Sequence, residues 1–166
     1  LDAIYTFEDN VTLSLNFAVL NALNKKTIEG EEGYKSSFFE IGKEKYYRDL
    51  NIEFEKKWSK KFKTNLVFVY LNYNKGQILG TYQEMVKSYT FIFDATTKFL
   101  KKRALRFELQ HLSTRQDKGS WAMSLVEYSV SPKYFFYISD EINYRDFNFE
   151  KVTHYPNIGS AFSYKA

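Results

Sequence analysis

The sequence predicts an all-β fold in which about nine antiparallel strands follow one another as an up-and-down meander. Two observations predict it. Apolar and polar residues alternate with a period of two in segment after segment, as they do where successive side chains point to opposite faces of a sheet. Aromatic residues also make up 19% of the 166 residues, and aromatic side chains favour strands. No convincing amphipathic helix competes with this pattern.

The predicted strands are short alternating segments spaced along the whole chain. In DLNIEFE, for example, Leu50, Ile52 and Phe54 share one face. TNLVFVYLNY is apolar on both faces, so alternation does not assign its orientation. In chain order the strands are LDAIYTF, VTLSLNFAVL, DLNIEFE, TNLVFVYLNY, YTFIFDAT, ALRFELQHL, WAMSLVEYSV, KYFFYISDE and NIGSAFSYK.

The connections between these strands alternate between short and long. The short ones lie at 8–10, 57–61, 96–102 and 130–132, and the long ones near 22–46, 74–86, 113–119 and 141–156, of which 113–119 is the briefest. In a meander this alternation places every long connection at one end of the sheet. Outer-membrane β-barrels have this arrangement, with short periplasmic turns and longer extracellular loops. The fold class expected is therefore a transmembrane β-barrel, or part of one.

A soluble barrel or sandwich shows the same alternation, so we use the size of the side chains to distinguish a soluble fold from a membrane barrel. A soluble fold would enclose the Phe, Tyr and Trp side chains of nine strands in one small core. A membrane barrel turns them outward to lipid and to the interfaces. The alternatives are a soluble or periplasmic lipocalin-like barrel that binds an apolar ligand, and a surface module that recognises glycan or protein through its aromatic residues.

Composition excludes several classes of function. The chain has no cysteine and only two histidines, so it offers neither a disulfide framework nor a metal site with ligand spacing. Its 24 Lys and Arg against 20 Asp and Glu give a net charge of +4, which does not by itself call for nucleic acid. Phosphate-binding and nucleophile motifs are absent. We expect one domain over residues 1–166, with no enzymatic activity, no metal and no cofactor.

The stretch KKWSKKFK at 56–63 is the most unusual in the chain, with five lysines in eight residues. As a helix it would scatter its lysines, whereas as a turn it places Trp58 and Phe62 at the ends of two adjacent strands. That arrangement fits aromatic anchors at a membrane interface, flanked by lysines that reach headgroups or water. KFLKKRALRF (98–107) repeats it with Phe99, and Trp121 is the fourth expected anchor. Lysines and rings can also bind nucleic acid, but two such turns at one end favour the interface.

A set of polar residues occupies the strand positions opposite the apolar ones. If their apolar neighbours face lipid, these residues face the lumen, as a pore lining or an ion-pair network. In a soluble sheet they would form the wet outer face. Glutamates at i and i+2 are common on strand surfaces, so no catalytic role is assigned to them. The expected lumen-facing residues are Glu53, Glu55, Asp94, Arg106, Glu108 and Gln110.

The segments RDLNIEFEKKWSKKFKTNLVFVYLNYN and DKGSWAMSLVEYSVSPKYFF resemble an uncharacterised family of outer-membrane β-barrel proteins of Bacteroidota. The resemblance covers residues 48–166. It implies a barrel larger than nine strands, of which this chain is one part, and it carries no catalytic residue.

The sequence thus predicts a pore, a transporter component or a scaffold for envelope assembly in a bacterial outer membrane. Its expected partners are the lipid bilayer or detergent, and other envelope proteins that contact the long loops. Nucleic acid is not an expected partner.

Overall fold

The computed structural model describes residues 1–7, 10–27, 34–76, 85–116, 118–145 and 152–163. Nine strands account for most of them, as the alternation predicts. They are β1 (Asp2–Phe7), β2 (Val11–Thr27), β3 (Tyr34–Lys57), β4 (Phe62–Asn74), β5 (Met85–Leu100), β6 (Arg103–Thr114), β7 (Ser120–Val130), β8 (Tyr134–Arg145) and β9 (Thr153–Phe162).

The nine strands form one antiparallel sheet in which spatial order equals chain order, from β1 to β9. Each strand therefore pairs with its neighbours in sequence, and β1 and β9 are the outer strands. The segments 8–10, 58–61, 101–102 and 131–133 all join strands at the same edge, which we call the short-turn edge. The longer segments 28–33, 75–84, 115–119 and 146–152 join strands at the opposite edge, the long-connection edge.

The predicted all-β meander is confirmed, but the predicted extents of several connections are wrong. β5 continues to Leu100 within 96–102, and β8 and β9 include the two ends of 141–156. Most of 22–46 is strand, because β2 continues to Thr27 and β3 begins at Tyr34. Polar residues interrupt the alternation here, and the pairing of β2 with β3 shifts register between Leu20 and Lys25. A continuous ladder of backbone hydrogen bonds tolerates both features. Residues 8–9, 28–33, 77–84, 117 and 146–151 of the expected connections lie outside the described residues.

The turn between β3 and β4 is closed by its serine. The hydroxyl oxygen of Ser59 accepts hydrogen bonds from the backbone N–H groups of Lys61 and Phe62, both at 3.1 Å. The N–H of Trp58 donates to the carbonyl oxygen of Phe62 at 3.0 Å. A hydroxyl that bonds nearby backbone in this way stabilises a tight turn. KKWSKKFK is thus a strand end, a turn and a strand start, as predicted.

Side chains hold the connection between β6 and β7 in place. The Ser120 hydroxyl accepts from the N–H of Thr114 at 3.2 Å and donates to its carbonyl oxygen at 3.1 Å. The side-chain amide of Gln116 extends the hydrogen bonding of β5 beyond the end of β6. It donates to the carbonyl oxygen of Met85 and accepts from the backbone N–H of Lys87, both at 2.9 Å. These bonds satisfy backbone groups that the end of the ladder leaves free.

The sheet is a single layer without a hydrophobic core. Among the described residues, the buried apolar side chains are Ala22 and Val86, and no side chain has less than 2% of its surface exposed. Hydrophobic burial normally supplies the dominant favourable term in folding. The sheet by itself buries little apolar surface, so its apolar side chains require a cover that the described residues do not provide.

Replacing Ser120 with alanine tests the hydrogen-bonded connection. Ser120→Ala leaves the N–H and carbonyl groups of Thr114 without their side-chain partner at a buried position. We expect a loss of about 1–3 kcal/mol in the free energy of unfolding. Urea titration followed by circular dichroism measures it. Ser124→Ala, at an exposed strand position, is the matched control and should change the free energy of unfolding by less than about 0.5 kcal/mol. Equal effects of the two substitutions would contradict the assignment.

Candidate functional site

The register of the strands divides the side chains into two faces of opposite character. Residues that pair directly share a face, so one row can be followed from strand to strand. We call the first face the apolar face. Its central residues are Leu13 and Leu15 on β2, Ile52 and Phe54 on β3, Leu66 and Phe68 on β4, Phe91 and Phe93 on β5, Phe107 and Leu109 on β6, Val126 on β7, Ile138 on β8 and Ile158 on β9.

The opposite face, called the polar face, brings together all six residues predicted to face a lumen. Glu53 and Glu55 lie on β3, Asp94 on β5, and Arg106, Glu108 and Gln110 on β6. Asp94 pairs directly with Glu108. The face is not uniformly polar, since β4 contributes valines to it, as its two-sided apolar sequence suggested.

The two faces differ in exposure, and the polar face is the less exposed. On β6 the exposed fractions of Leu105, Phe107 and Leu109 are 38%, 37% and 43%, whereas Glu108 between them is only 7% exposed. Strands β5 and β8 show the same alternation. Among the described residues no second layer covers either face, so lower exposure arises where side chains converge. The alternation therefore indicates that the sheet curls around its polar face.

Arg106 is the centre of an ion-pair network that joins β5, β6 and β7. Its guanidinium donates to the carboxylates of Asp94 and Glu108, and its Nη1 lies 3.3 Å from an oxygen of Glu127. Gln110 donates to Glu108 at 2.5 Å. One cation is thereby shared by three carboxylates, which leaves the network acidic. Sequence analysis identified every member except Glu127, whose face the alternation of WAMSLVEYSV left unassigned.

The remaining predicted glutamates have separate partners, on β4 and at the end of β3. Glu53 accepts a hydrogen bond from the side-chain amide of Asn65 at 2.7 Å. Glu55, nearer the short-turn edge, pairs with Lys63 at 3.2 Å and with Lys57 at 3.4 Å. On the polar face, side chains therefore link β3 with β4, and separately β5 with β6 and β7. This satisfies charged groups that would be costly to enclose unpaired.

Three of the four predicted anchors lie at one end of the apolar face. Trp58, Phe62 and Phe99 are exposed side chains at the short-turn edge. The indole N–H of Trp58 donates to the Thr64 hydroxyl at 2.9 Å, and Phe99 stacks on Tyr128 with ring centroids 6.1 Å apart.

The placement of the fourth expected anchor, Trp121, does not fit an interface role. Trp121 pairs with Leu112 and Asn143 on the polar face, near the long-connection edge, and stacks on Tyr155 with ring centroids 5.6 Å apart. A side chain on that face points away from the surface that the other anchors share. Its residue type suggested an anchor, but its position in the register decides the face.

At the long-connection edge the apolar face ends in polar pairs that sequence analysis did not identify. His111 Nε2 lies 2.5 Å from the Tyr144 hydroxyl, and His154 Nδ1 lies 2.8 Å from a carboxylate oxygen of Asp140. The sequence alone does not reveal these pairs, since the partner of each histidine lies on another strand. These pairs and the short-turn edge bound an apolar band.

The apolar band has a measurable height. On β4 it runs from Phe62 to Tyr70, which is about 27 Å along a strand at about 3.4 Å per residue. A strand tilt of about 40° reduces this to about 21 Å, close to the band of about 25 Å on transmembrane barrels.

The fold and its two faces define a class of protein: a single-layer antiparallel β-sheet with one apolar and one polar face. The chain belongs to a family of unknown function (DUF6029), whose model matches residues 5–166. No curated protein and no solved structure matches it. Within the described ranges, no helix is long and apolar enough to cross a membrane. Among the same residues, no three His, Cys, Asp or Glu side chains are grouped to hold a metal ion.

Removing the central cation tests whether the network around Arg106 stabilises the sheet. Arg106→Ala leaves three carboxylates facing one another, and we expect the free energy of unfolding to fall by about 2 kcal/mol. The loss is smaller than for a fully buried pair because 38% of the Arg106 side chain stays exposed. Urea titration of Arg106→Ala, Glu108→Gln and the double variant measures the coupling. Strictly additive effects would contradict the network, because contacting partners are expected to couple.

Proposed function

We propose that this protein is an outer-membrane β-barrel, or a contiguous part of one, from the envelope of Bacteroidota. In this proposal the apolar face contacts lipid and the polar face lines the lumen. The protein acts as a pore, a transporter component or a scaffold for envelope assembly, without catalysis. Its long-connection edge faces outward and offers the surface for envelope partners, because loops on a rigid scaffold are where binding residues concentrate.

The observation that carries the proposal is the burial asymmetry between the two faces. The less exposed face holds the Arg106 network, and the more exposed face holds large apolar side chains such as Phe91 and Ile138. A soluble barrel of lipocalin type would need the opposite arrangement, with apolar residues enclosed and charged residues outside. A transmembrane barrel has apolar residues outside and a polar interior.

The dimensions of the strands also support a membrane location. A transmembrane strand needs about 9–11 residues, and β6 to β9 have 12, 11, 12 and 10. The aromatic side chains at the short-turn edge lie at one end of the apolar band, the position that aromatic girdles occupy in transmembrane barrels. The sheet has no core of its own, and lipid would supply the cover for its apolar face.

Cysteine labelling distinguishes the lipid-facing from the lumen-facing side, and the chain has no native cysteine to interfere. Neighbouring positions form matched pairs: Leu66 with Val67, and Phe91 with Ile92, each replaced singly by cysteine. In vesicles, a fluorophore at Leu66→Cys or Phe91→Cys should be quenched by nitroxides on the acyl chains. At Val67→Cys or Ile92→Cys, iodide in water should quench it instead, because these side chains lie on the polar face.

Each pair controls for depth in the membrane, since its two positions are adjacent on one strand. The reverse pattern would support an apolar interior of lipocalin type. Quenching by iodide at all four positions, in a protein that remains soluble without detergent, would rule out the membrane proposal.

Conductance separates a pore from a scaffold. Purified full-length protein that shows heat-modifiable migration on unboiled gels is added to a planar bilayer. An open lumen predicts discrete current steps. Folded protein that inserts without any current acts as a scaffold rather than a pore.

A further inference from the structure

The positive charge of the chain is concentrated on the short-turn edge. The segments 56–63, 98–103 and 131–134 contain ten of the 24 Lys and Arg residues and no Asp or Glu. The remaining fourteen cations are outnumbered by the chain's twenty carboxylates. The rest of the chain is therefore acidic, and a single edge makes the protein basic. We call these three segments the basic rim.

The long-connection edge does not share this property. Residues 25–45, which lead to and from that edge, contain five Lys and five Glu. Mixed charges of this kind are sufficient to keep a solvent-exposed edge soluble. At the short-turn edge, three of the four connections instead carry charges of one sign, all cations, and create a field that attracts anions, while the fourth, 8–10, contains Glu8 and Asp9.

Most cations of the basic rim are not neutralised by the part of the chain that the structure describes. Lys57 and Lys63 both pair with Glu55. The turn residues Lys60, Lys61 and Lys102 are exposed and form no ion pair with a described carboxylate, and the same holds for Lys101 and Lys133. Their charge is available to an external anion.

Aromatic rings lie directly inside these cations on the apolar face. Trp58 is 58% exposed, and the Nζ atom of Lys56 lies 4.3 Å from its ring centroid. Phe62 and Phe99 are the exposed rings of the first and second segments after Trp58, and Tyr134 is the ring of the third segment. Moving from the edge inward, the order is cations, aromatic rings and then aliphatic side chains. This order matches the layers of a bilayer leaflet from headgroup phosphate to acyl chain.

We propose that the basic rim binds the phosphate groups of phospholipid headgroups and prefers anionic phospholipid. The inference rests on the proposed membrane function and adds a lipid class and an orientation to it. Short turns of outer-membrane barrels face the periplasm, so the rim contacts the periplasmic leaflet. A nucleic acid would use separate stacking platforms in a charged groove. Here the rings continue into the apolar band, which favours lipid.

The test compares two variants of equal net charge. The rim variant carries Lys60→Ser, Lys61→Ser, Lys101→Ser and Lys102→Ser. The control variant carries Lys45→Ser, Lys87→Ser, Arg115→Ser and Lys118→Ser, four exposed positions toward the long-connection edge. Association of the full chain with lipid is measured by vesicle flotation. One set of vesicles is pure phosphatidylcholine, and in the other set phosphatidylglycerol replaces about a third of the phosphatidylcholine.

We expect the wild-type protein and the control variant to prefer the anionic vesicles. The rim variant should lose this preference, with binding to them weakened at least about tenfold, since each basic residue near an anionic surface contributes about fivefold. Full retention of the preference by the rim variant, or an equal loss in the control, would overturn the inference.

Two further outcomes separate this inference from the proposed function. Insertion of the rim variant into pure phosphatidylcholine at the wild-type level would leave the membrane proposal intact, whatever its response to anionic lipid. Failure of all three proteins to enter any vesicle would contradict the membrane proposal itself. Binding of the lipid-free protein to a single-stranded oligonucleotide as tightly as to anionic vesicles would overturn the preference for lipid phosphate.

Discussion

The absence of a second layer among the described residues is the constraint on which the rest of this structure depends. Every described strand pairs with its neighbours through backbone hydrogen bonds, yet almost no apolar side chain is buried by doing so. Net stabilisation by such hydrogen bonds is modest, because the unfolded chain forms them with water. The fold must therefore obtain its hydrophobic stabilisation from the surroundings of the apolar face. This requirement links the fold to the environment in which the protein works.

The same alternation of side chains gives the two faces different physical properties. The apolar face presents rings and branched chains to whatever covers it. The polar face collects charged groups where side chains converge, and this is tolerable because they pair across strands. Arg106 bridges carboxylates from three strands, among them the little-exposed Glu108. Without that shared cation, enclosing so many carboxylates would be costly.

Much of this architecture could be predicted from the sequence, because a period of two fixes which residues share a face. The six polar residues expected to face a lumen share one face of the sheet, and the strands and the order of connections follow the pattern. Three features could not be predicted. The hairpin formed by β2 and β3 extends past Asn21 because the backbone ladder continues where the alternation fails. Trp121 lies on the polar face because register, not residue type, decides orientation. The partners of His111 and His154 are on other strands, which a single sequence does not reveal.

The identity of spatial order and chain order has a consequence for how the sheet assembles. Each pairing joins strands that are adjacent in sequence, so each step closes a short segment of chain and costs little entropy. The sheet can grow one hairpin at a time, with each finished strand acting as the template for the next. Such a sheet can form while the chain is being delivered, since each pairing among the described strands joins neighbours in sequence.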